Sequence, residues 1–275
     1  MEPIEEFVDH AVAEEKPFYI WYGVFLPHTP HNPPERLLKK YREQDLPLPI
    51  AKYYACCEWF DETCGQLIDI LEKRNLRDDT LIVYVTDNGW INRPDKSAYA
   101  LRSKQSPNEG GVRTPIMFSW PNGGFKPERR PEIVSSIDLF PTALAAAGAR
   151  IPEDVPGLNL LENLQKQQPI ERDGIFGEAF AHDIADLDNP QASLIFRWRI
   201  EGKWKLLLTY DGEVHAYATT HPRTEKRPQL YDLVADPHEN NNLAAAHPDV
   251  VADLEGNIGD WWPVTERQVL TKWEE

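Results

Sequence analysis

The sequence predicts an α/β fold: a partial, doubly wound, mostly parallel sheet flanked by helices, then a small C-terminal α+β subdomain with an antiparallel sheet. Three observations carry that expectation. Apolar runs of strand length at 18–26, 81–86 and 115–120 alternate with helical stretches, the pattern of strands buried on both faces of a parallel sheet. Beyond about residue 150 the pattern changes to a hairpin, a short strand and a last helix. The length, 275 residues, suits one large α/β domain with an appendage, and the expected division is 1–150 and 151–275.

Each element has a local reason. Ile4, Phe7, Val8, Ala11 and Val12 fall on one helical face, and Lys16 and Pro17 end that helix. The aromatic-rich run 18–26 reads as a strand buried on both faces. Residues 27–49 are a proline-studded excursion with a short basic helix around "PERLLKKYR". Tyr53, Cys57, Phe60, Cys64, Leu67, Ile68 and Leu71 share helical spacing over 51–74. "LRDDT" is a turn, "LIVYVT" a strand, 90–113 a long loop and "PIMFSW" a third strand. Ser136 is expected to cap a helix that runs to Ala147 and closes at Gly148. "SLIFRWRIEG" and "KWKLLLTYDG" form a hairpin around Glu201 and Gly202. "QLYDLVADPHENNNLA" adds a strand and a turn, and a helix starts near Pro248.

The charge balance is acidic, with 45 Asp and Glu against 29 Lys and Arg and a net charge of −16. That disfavours non-specific nucleic-acid binding, which needs a basic surface. It leaves room for an anionic ligand in a locally positive site. No apolar run has membrane-span length, and the acidic, helical N-terminal stretch is not expected to be a signal peptide. Cys56, Cys57 and Cys64 sit close together on one expected helix and read as buried thiols.

In parallel sheets, ligands bind beyond the carboxyl ends of strands. Two such ends carry polar residues: His28 and His31 in "PHTPHNPP", and Asp87 and Asn88 in "DNG". A carboxylate beside an amide oxygen suits Ca²⁺ or Mg²⁺. Imidazoles suit general acid work near neutral pH. Lys104, in the loop before Glu109-Gly110-Gly111, offers a point positive charge to an oxyanion. Taken singly, each has a plainer reading: a turn, a solvent-facing proline loop, an exposed lysine.

Taken in order, "PHTPH", "YYACCEWFDETCGQLIDIL", "TDNG", "K-x-x-x-x-EGGVRTP" and the late "LYDLVADPHENNNLA" resemble the sulfatases of the alkaline-phosphatase superfamily, from about residue 16 to 260. The resemblance implies hydrolysis of sulfate esters with Ca²⁺ as cofactor. By position, it implies that His28 contacts the sulfate and helps protonate the departing alcohol, and that Lys104 holds a sulfate oxygen. Asp87 and Asn88 correspond to two Ca²⁺ ligands, and His31, beside the motif, is read as a substrate-binding residue of the pocket. Relatives often act on sulfated glycans and are often periplasmic or secreted. Specificity is expected to reside in loops such as 90–103 and 178–192.

Sulfatases use a formylglycine nucleophile made within a C/S-x-P/A-x-R signature, and this sequence contains none. The strand that brings paired aspartates to the metal is also missing. The chain therefore reads as the C-terminal half of a sulfatase, with weak or absent Ca²⁺ binding by itself and an N-terminal sulfatase half as partner. Two other readings stand beside it. One is a non-catalytic remnant or a subunit of a split sulfatase; the other is a phosphoester or phosphonate hydrolase of the same superfamily.

Overall fold

A computed structural model describes residues 1–180, 186–210 and 227–264. Asp211 and Gly212 of the expected hairpin, and 181–185 of the expected specificity loop, lie outside the described residues. The chain divides into two compact units. One comprises Met1–Ile82, Asn92–Tyr99 and Phe118–Phe125; the other comprises Val83–Ile91, Ala100–Met117 and Lys126–Glu275. The class is α/β with a small antiparallel-sheet subdomain.

The first unit holds helices α1 (Glu2–Ala13), α2 (Glu35–Arg42) and α3 (Leu48–Lys73). The spacing of apolar residues explains the packing of α2 on α3. Leu37 and Leu38 meet Ala51 and Ala55, and the two alanines let the helices approach closely. Around that seam, Lys40 pairs with Glu58 at 2.9 Å, an exposed bridge of small energetic value.

The run 18–26 departs from expectation. No strand forms there, and Tyr19, Trp21 and Phe25 are 71%, 80% and 66% exposed instead of buried. A strand exists only where its N–H and C=O groups meet a neighbouring ladder, and apolar composition alone does not supply one. Exposure still alternates from Tyr19 to Phe25, the period of extended backbone.

Strands β1 (Ile82–Val85) and β2 (Ile116–Ser119) pair as a two-stranded sheet. Between them the long loop folds into a one-turn helix, α4 (Glu109–Val112). The helix expected from Ser136 starts one residue earlier. Ser135 N donates to Asp138 Oδ2 at 2.8 Å, a 3₁₀ turn Ser136–Asp138 follows, and α5 (Leu139–Ala146) ends at Gly148 with φ +66°. Adjacent serines make the cap ambiguous in sequence, and the Asp138 side chain decides it.

The rest of the second unit is built on a four-stranded antiparallel sheet of β3 (Ile175–Phe180), β4 (Leu194–Glu201), β5 (Trp204–Thr209) and β6 (Gln229–Asp232), after a short α6 (Leu161–Lys166). The hairpin turns at Gly202, whose φ of +54° suits glycine, so Glu201 pairs with Trp204. Register then sets the faces. Arg197, Arg199, Leu206, Leu208 and Leu230 share one face, and α7 (Pro248–Trp261) covers it with Leu254 and Ile258. Trp198, Ile200, Leu207, Lys205 and Tyr231 share the other, against which Val112 and Ile133 pack. The buried Arg197 is satisfied by the Tyr210 hydroxyl and by the Ile258 and Trp262 carbonyls. Among the described residues no helix is long and apolar enough to cross a membrane.

Leu230 has no exposed surface, whereas Val234 is 80% exposed. Leu230→Ala is expected to destabilise the chain by about 2–5 kcal/mol. Val234→Ala is expected to change stability by less than about 0.5 kcal/mol. Urea unfolding of the two variants checks the difference.

Candidate active site

Asp87 and Asn88 lie immediately past β1, where the chain leaves the strand. Asp87 is exposed and Asn88 half-buried. Their turn is held from within: Asp87 Oδ1 accepts the Asn88 N–H at 2.8 Å, and the Asn88 amide donates to Gly89 O at 3.0 Å. The next residues run along the long loop. Gly89 N donates to Gly111 O at 2.8 Å, Ile91 N to Ser103 Oγ at 2.7 Å, and Ala100 N to Ile91 O at 2.8 Å.

The glycines are required by close approach. A Cβ on Gly89 would lie 2.2 Å from Gly110 O, and one on Gly111 would lie 2.3 Å from Ser103 O. Backbone therefore touches backbone at both positions. The segment of Asp87 and Asn88 is pressed on the segment whose next residue after Ser103 is Lys104. Sequence reasoning noticed the paired glycines but missed Gly89 as their counterpart and Ser103 as the acceptor. The signal for both was the glycine in "DNG" opposite "EGG".

His28 and His31 belong to the first unit, in the loop with cis peptides at Leu26-Pro27 and Thr29-Pro30. His28 is exposed; its Nδ1 donates to Thr29 O at 2.7 Å and its ring packs 5.0 Å from Phe25. That bond fixes the Nδ1–H tautomer, so in the neutral ring Nε2 carries the lone pair. His31 is 2% exposed and its ring lies 5.4 Å from Tyr53. Burial holds its pKa below the ordinary histidine value; the Pro27 backbone carbonyl pulls upward, while His28 and Lys52 push further down.

The donor chemistry at Asp87 and Asn88, a carboxylate and an amide oxygen, matches a hard cation. The number of donors is small. Among the described residues no group of three or more His, Cys, Asp or Glu side chains could hold a metal ion. These two residues therefore fit Ca²⁺ as part of a shell and not as a whole one. The three cysteines are free; Cys56 is buried as expected, and burial pushes its thiol up in pKa, whereas Cys57 and Cys64 are only half-buried.

The chain matches the Sulfatase family over residues 1–149 and the C-terminal region of N-sulphoglucosamine sulphohydrolase over 99–260. It is 28% identical over 260 residues to an N-acetylgalactosamine-6-O-sulfatase of Bacteroides thetaiotaomicron, covering 88% of this chain and 46% of that protein. The crystal structure of Ps i-CgsB superposes with a TM-score of 0.76 at 23% identity, over 98% of this chain and 56% of that one. A phosphonate monoester hydrolase of Silicibacter pomeroyi superposes with a TM-score of 0.58 at 25% identity, over 77% and 40%. The chain spans about half, or less, of the length of the proteins it matches.

Two outcomes follow from this geometry. Gly89→Ala is expected to cost about 1–3 kcal/mol by forcing apart the two backbones, read as a lower urea midpoint. His31 gives a pH dependence of definite sign. Its folded pKa lies below the unfolded value of about 6.5, so the unfolded chain binds more protons between the two. The contribution of His31 is full above about pH 6.5 and is lost as pH falls through the folded value. His31→Gln is expected to flatten that part of the stability–pH curve, measured by urea unfolding from about pH 7 to about pH 5.

Proposed function

This chain belongs to the sulfatase family, and we propose from that premise that it supplies the leaving-group and counter-charge side of a sulfate-ester hydrolase. The nucleophile comes from another stretch of polypeptide, an N-terminal sulfatase half, because no C/S-x-P/A-x-R signature occurs in the sequence. The observation that supports the reading most is the glycine seam, Gly89 N to Gly111 O at 2.8 Å, which presses the Asp87–Asn88 turn onto the loop of Lys104. A hard-cation pair and an ammonium are the groups that a sulfate dianion-like transition state needs nearby.

In this reading the Lys104 ammonium takes a sulfate oxygen and offsets the charge that grows as sulfur is attacked. When the sulfur–oxygen ester bond breaks, the departing alkoxide needs a proton. His28, in its doubly protonated imidazolium form, delivers the Nε2 proton and is left as the neutral ring, while Nδ1–H stays anchored on Thr29 O. The prolines around His28 restrict the backbone and lower the cost of holding the ring in one place. Asp87 and Asn88 would hold Ca²⁺ as part of a shell of about 6–8 oxygens, and the ion would supply Lewis-acid charge to the sulfate. His31 shapes the loop from inside, against Tyr53. The relative from Bacteroides thetaiotaomicron is named for a sulfated amino sugar, and a sulfated glycan is the substrate class we assign here.

The exposed row Tyr19, Trp21 and Phe25 supports a partner as well. The same features without turnover would describe a subunit of a split sulfatase, or a non-catalytic remnant. A second activity, phosphonate ester hydrolysis, is favoured by one observation, the superposition on the phosphonate monoester hydrolase. Two bound Zn²⁺ or Mn²⁺ ions in the assembled protein would select it over Ca²⁺ and sulfate.

The test is aryl-sulfate turnover by the chain alone and by the chain coexpressed with a sulfatase half carrying Cys-x-Pro-x-Arg. Turnover is expected only in the combination. Lys104→Ala is expected to lower kcat/KM there by about 10²–10³-fold. Turnover by the chain alone, abolished by Lys104→Ala, would show that the nucleophile lies within it. Full activity of Lys104→Ala in the combination would remove Lys104 from the site.

A further inference from the structure

The geometry points to an internal ionic lock in which Lys205, Glu109 and Glu239 act as positioning residues for the loop that carries Lys104. It rests on the assignment of Lys104 to the sulfate made above. Lys205 has no exposed surface, although it stands in a strand between Trp204 and Leu206. Register turns it toward the face opposite α7, the face on which Val112 packs. There its ammonium donates to Pro107 O at 2.7 Å and to Glu109 Oε1 at 2.9 Å, and pairs with Glu239 Oε1 at 2.9 Å. Two of its N–H groups have hydrogen-bond acceptors, Pro107 O and Glu109 Oε1, and Glu239 Oε1 closes the ring as an ion-pair contact.

Glu239 is 1% exposed and does more than balance charge. Its second oxygen, Oε2, accepts the Glu109 backbone N–H at 2.8 Å. Its own carbonyl accepts from Arg102 Nη1 at 2.7 Å, with the His238 carbonyl at 3.3 Å from the same nitrogen. The residue holds this place at φ +56°, a left-handed conformation that a glutamate rarely adopts. The segment between Arg102 and Glu109 is thus gripped at both ends by one turn, and near its end by Lys205 as well. Lys104 lies inside that gripped segment.

Charge balance does not require this arrangement. One carboxylate would neutralise Lys205, and a buried ion cluster is weak as a source of stability compared with apolar packing of similar volume. What it does supply is direction. Each charge-assisted bond works over a few tenths of an ångström, so the loop has one seat and not a range of them. A lysine that must meet one sulfate oxygen benefits from such a seat.

Hydrogen exchange and titration with inorganic sulfate test this on the 275-residue chain. The variants are Glu239→Gln, Lys104→Ala and the double mutant, with Glu109→Gln as a second route should Glu239→Gln fail to fold. Glu239→Gln is expected to speed amide exchange at 103–112 by about tenfold or more while β4 and β5 amides keep their rates. It is expected to weaken sulfate about as much as Lys104→Ala does, with no further loss in the double mutant. Unchanged exchange at 103–112, or equal acceleration in β4 and β5, overturns the lock. Losses that multiply in the double mutant overturn its link to Lys104. Localised acceleration with sulfate affinity indifferent to Lys104→Ala leaves the lock standing and overturns the assignment of Lys104.

Discussion

Taking the Lys205 ammonium out of water is the constraint around which the second unit is organised. A buried charge is tolerable only when every donor meets an acceptor. Meeting it requires three separate stretches of sequence in one place: β5, which brings the lysine; the loop, which brings Pro107 O and Glu109; and the turn after β6, which brings Glu239. None of these can shift by an ångström without leaving a buried charge unmatched. The two-residue period of β5 does the rest. If Lys205 faces the loop, Leu206 must face α7, and one side chain's direction fixes which face of the sheet each neighbour covers.

The same demand for close fit governs the site. Charged groups hold the loop from one side, and bare backbone holds it from the other. At Gly89, Gly110 and Gly111 there is no room for a side chain, so contact is made by main-chain atoms. Such contacts are short and stiff. They make the Asp87–Asn88 turn and the Lys104 loop one mechanical piece, which flexible surface loops would not be. His28 is fixed by other means, local prolines and a bond to Thr29 O within its own loop. The two groups of residues thus use different physics for the same end, a candidate site residue on a backbone with few alternatives.

Much of this was legible from residue order. Helical spacing located α1 and α3 to within a few residues, Pro248 marked the start of α7, and Gly202 located the hairpin. The motifs named the family because five of them occur in one order. What escaped was contact between distant segments. β3 was missed because "IFGEAF" is short and carries Gly177, yet that glycine is required: a Cβ there would lie 2.2 Å from the Trp198 ring. Glu239 sits in "DPHENN", a run of polar residues with every appearance of a solvated turn. Its burial follows from Lys205, and a lysine at an inward position of "WKLLLT" was the available signal. The glycine seam was half visible in "EGG", and its partner "DNG" looked like a sufficient turn by itself.

The run 18–26 shows why composition can predict a strand that is not made. Aromatic and β-branched residues gain from a pleated surface only when something lies on it. Here Tyr19, Trp21 and Phe25 point outward and their exposed faces meet water. Each large aromatic can bury roughly 150–250 Å², so covering all three would release on the order of several kcal/mol before the cost of association. A polypeptide that added a strand here would pair the backbone and cover the aromatics in one step. It would do so a few residues from His28, in a family whose nucleophile this sequence does not contain. Any association at this segment would draw on one free-energy source, the apolar surface that the unpaired backbone leaves in water.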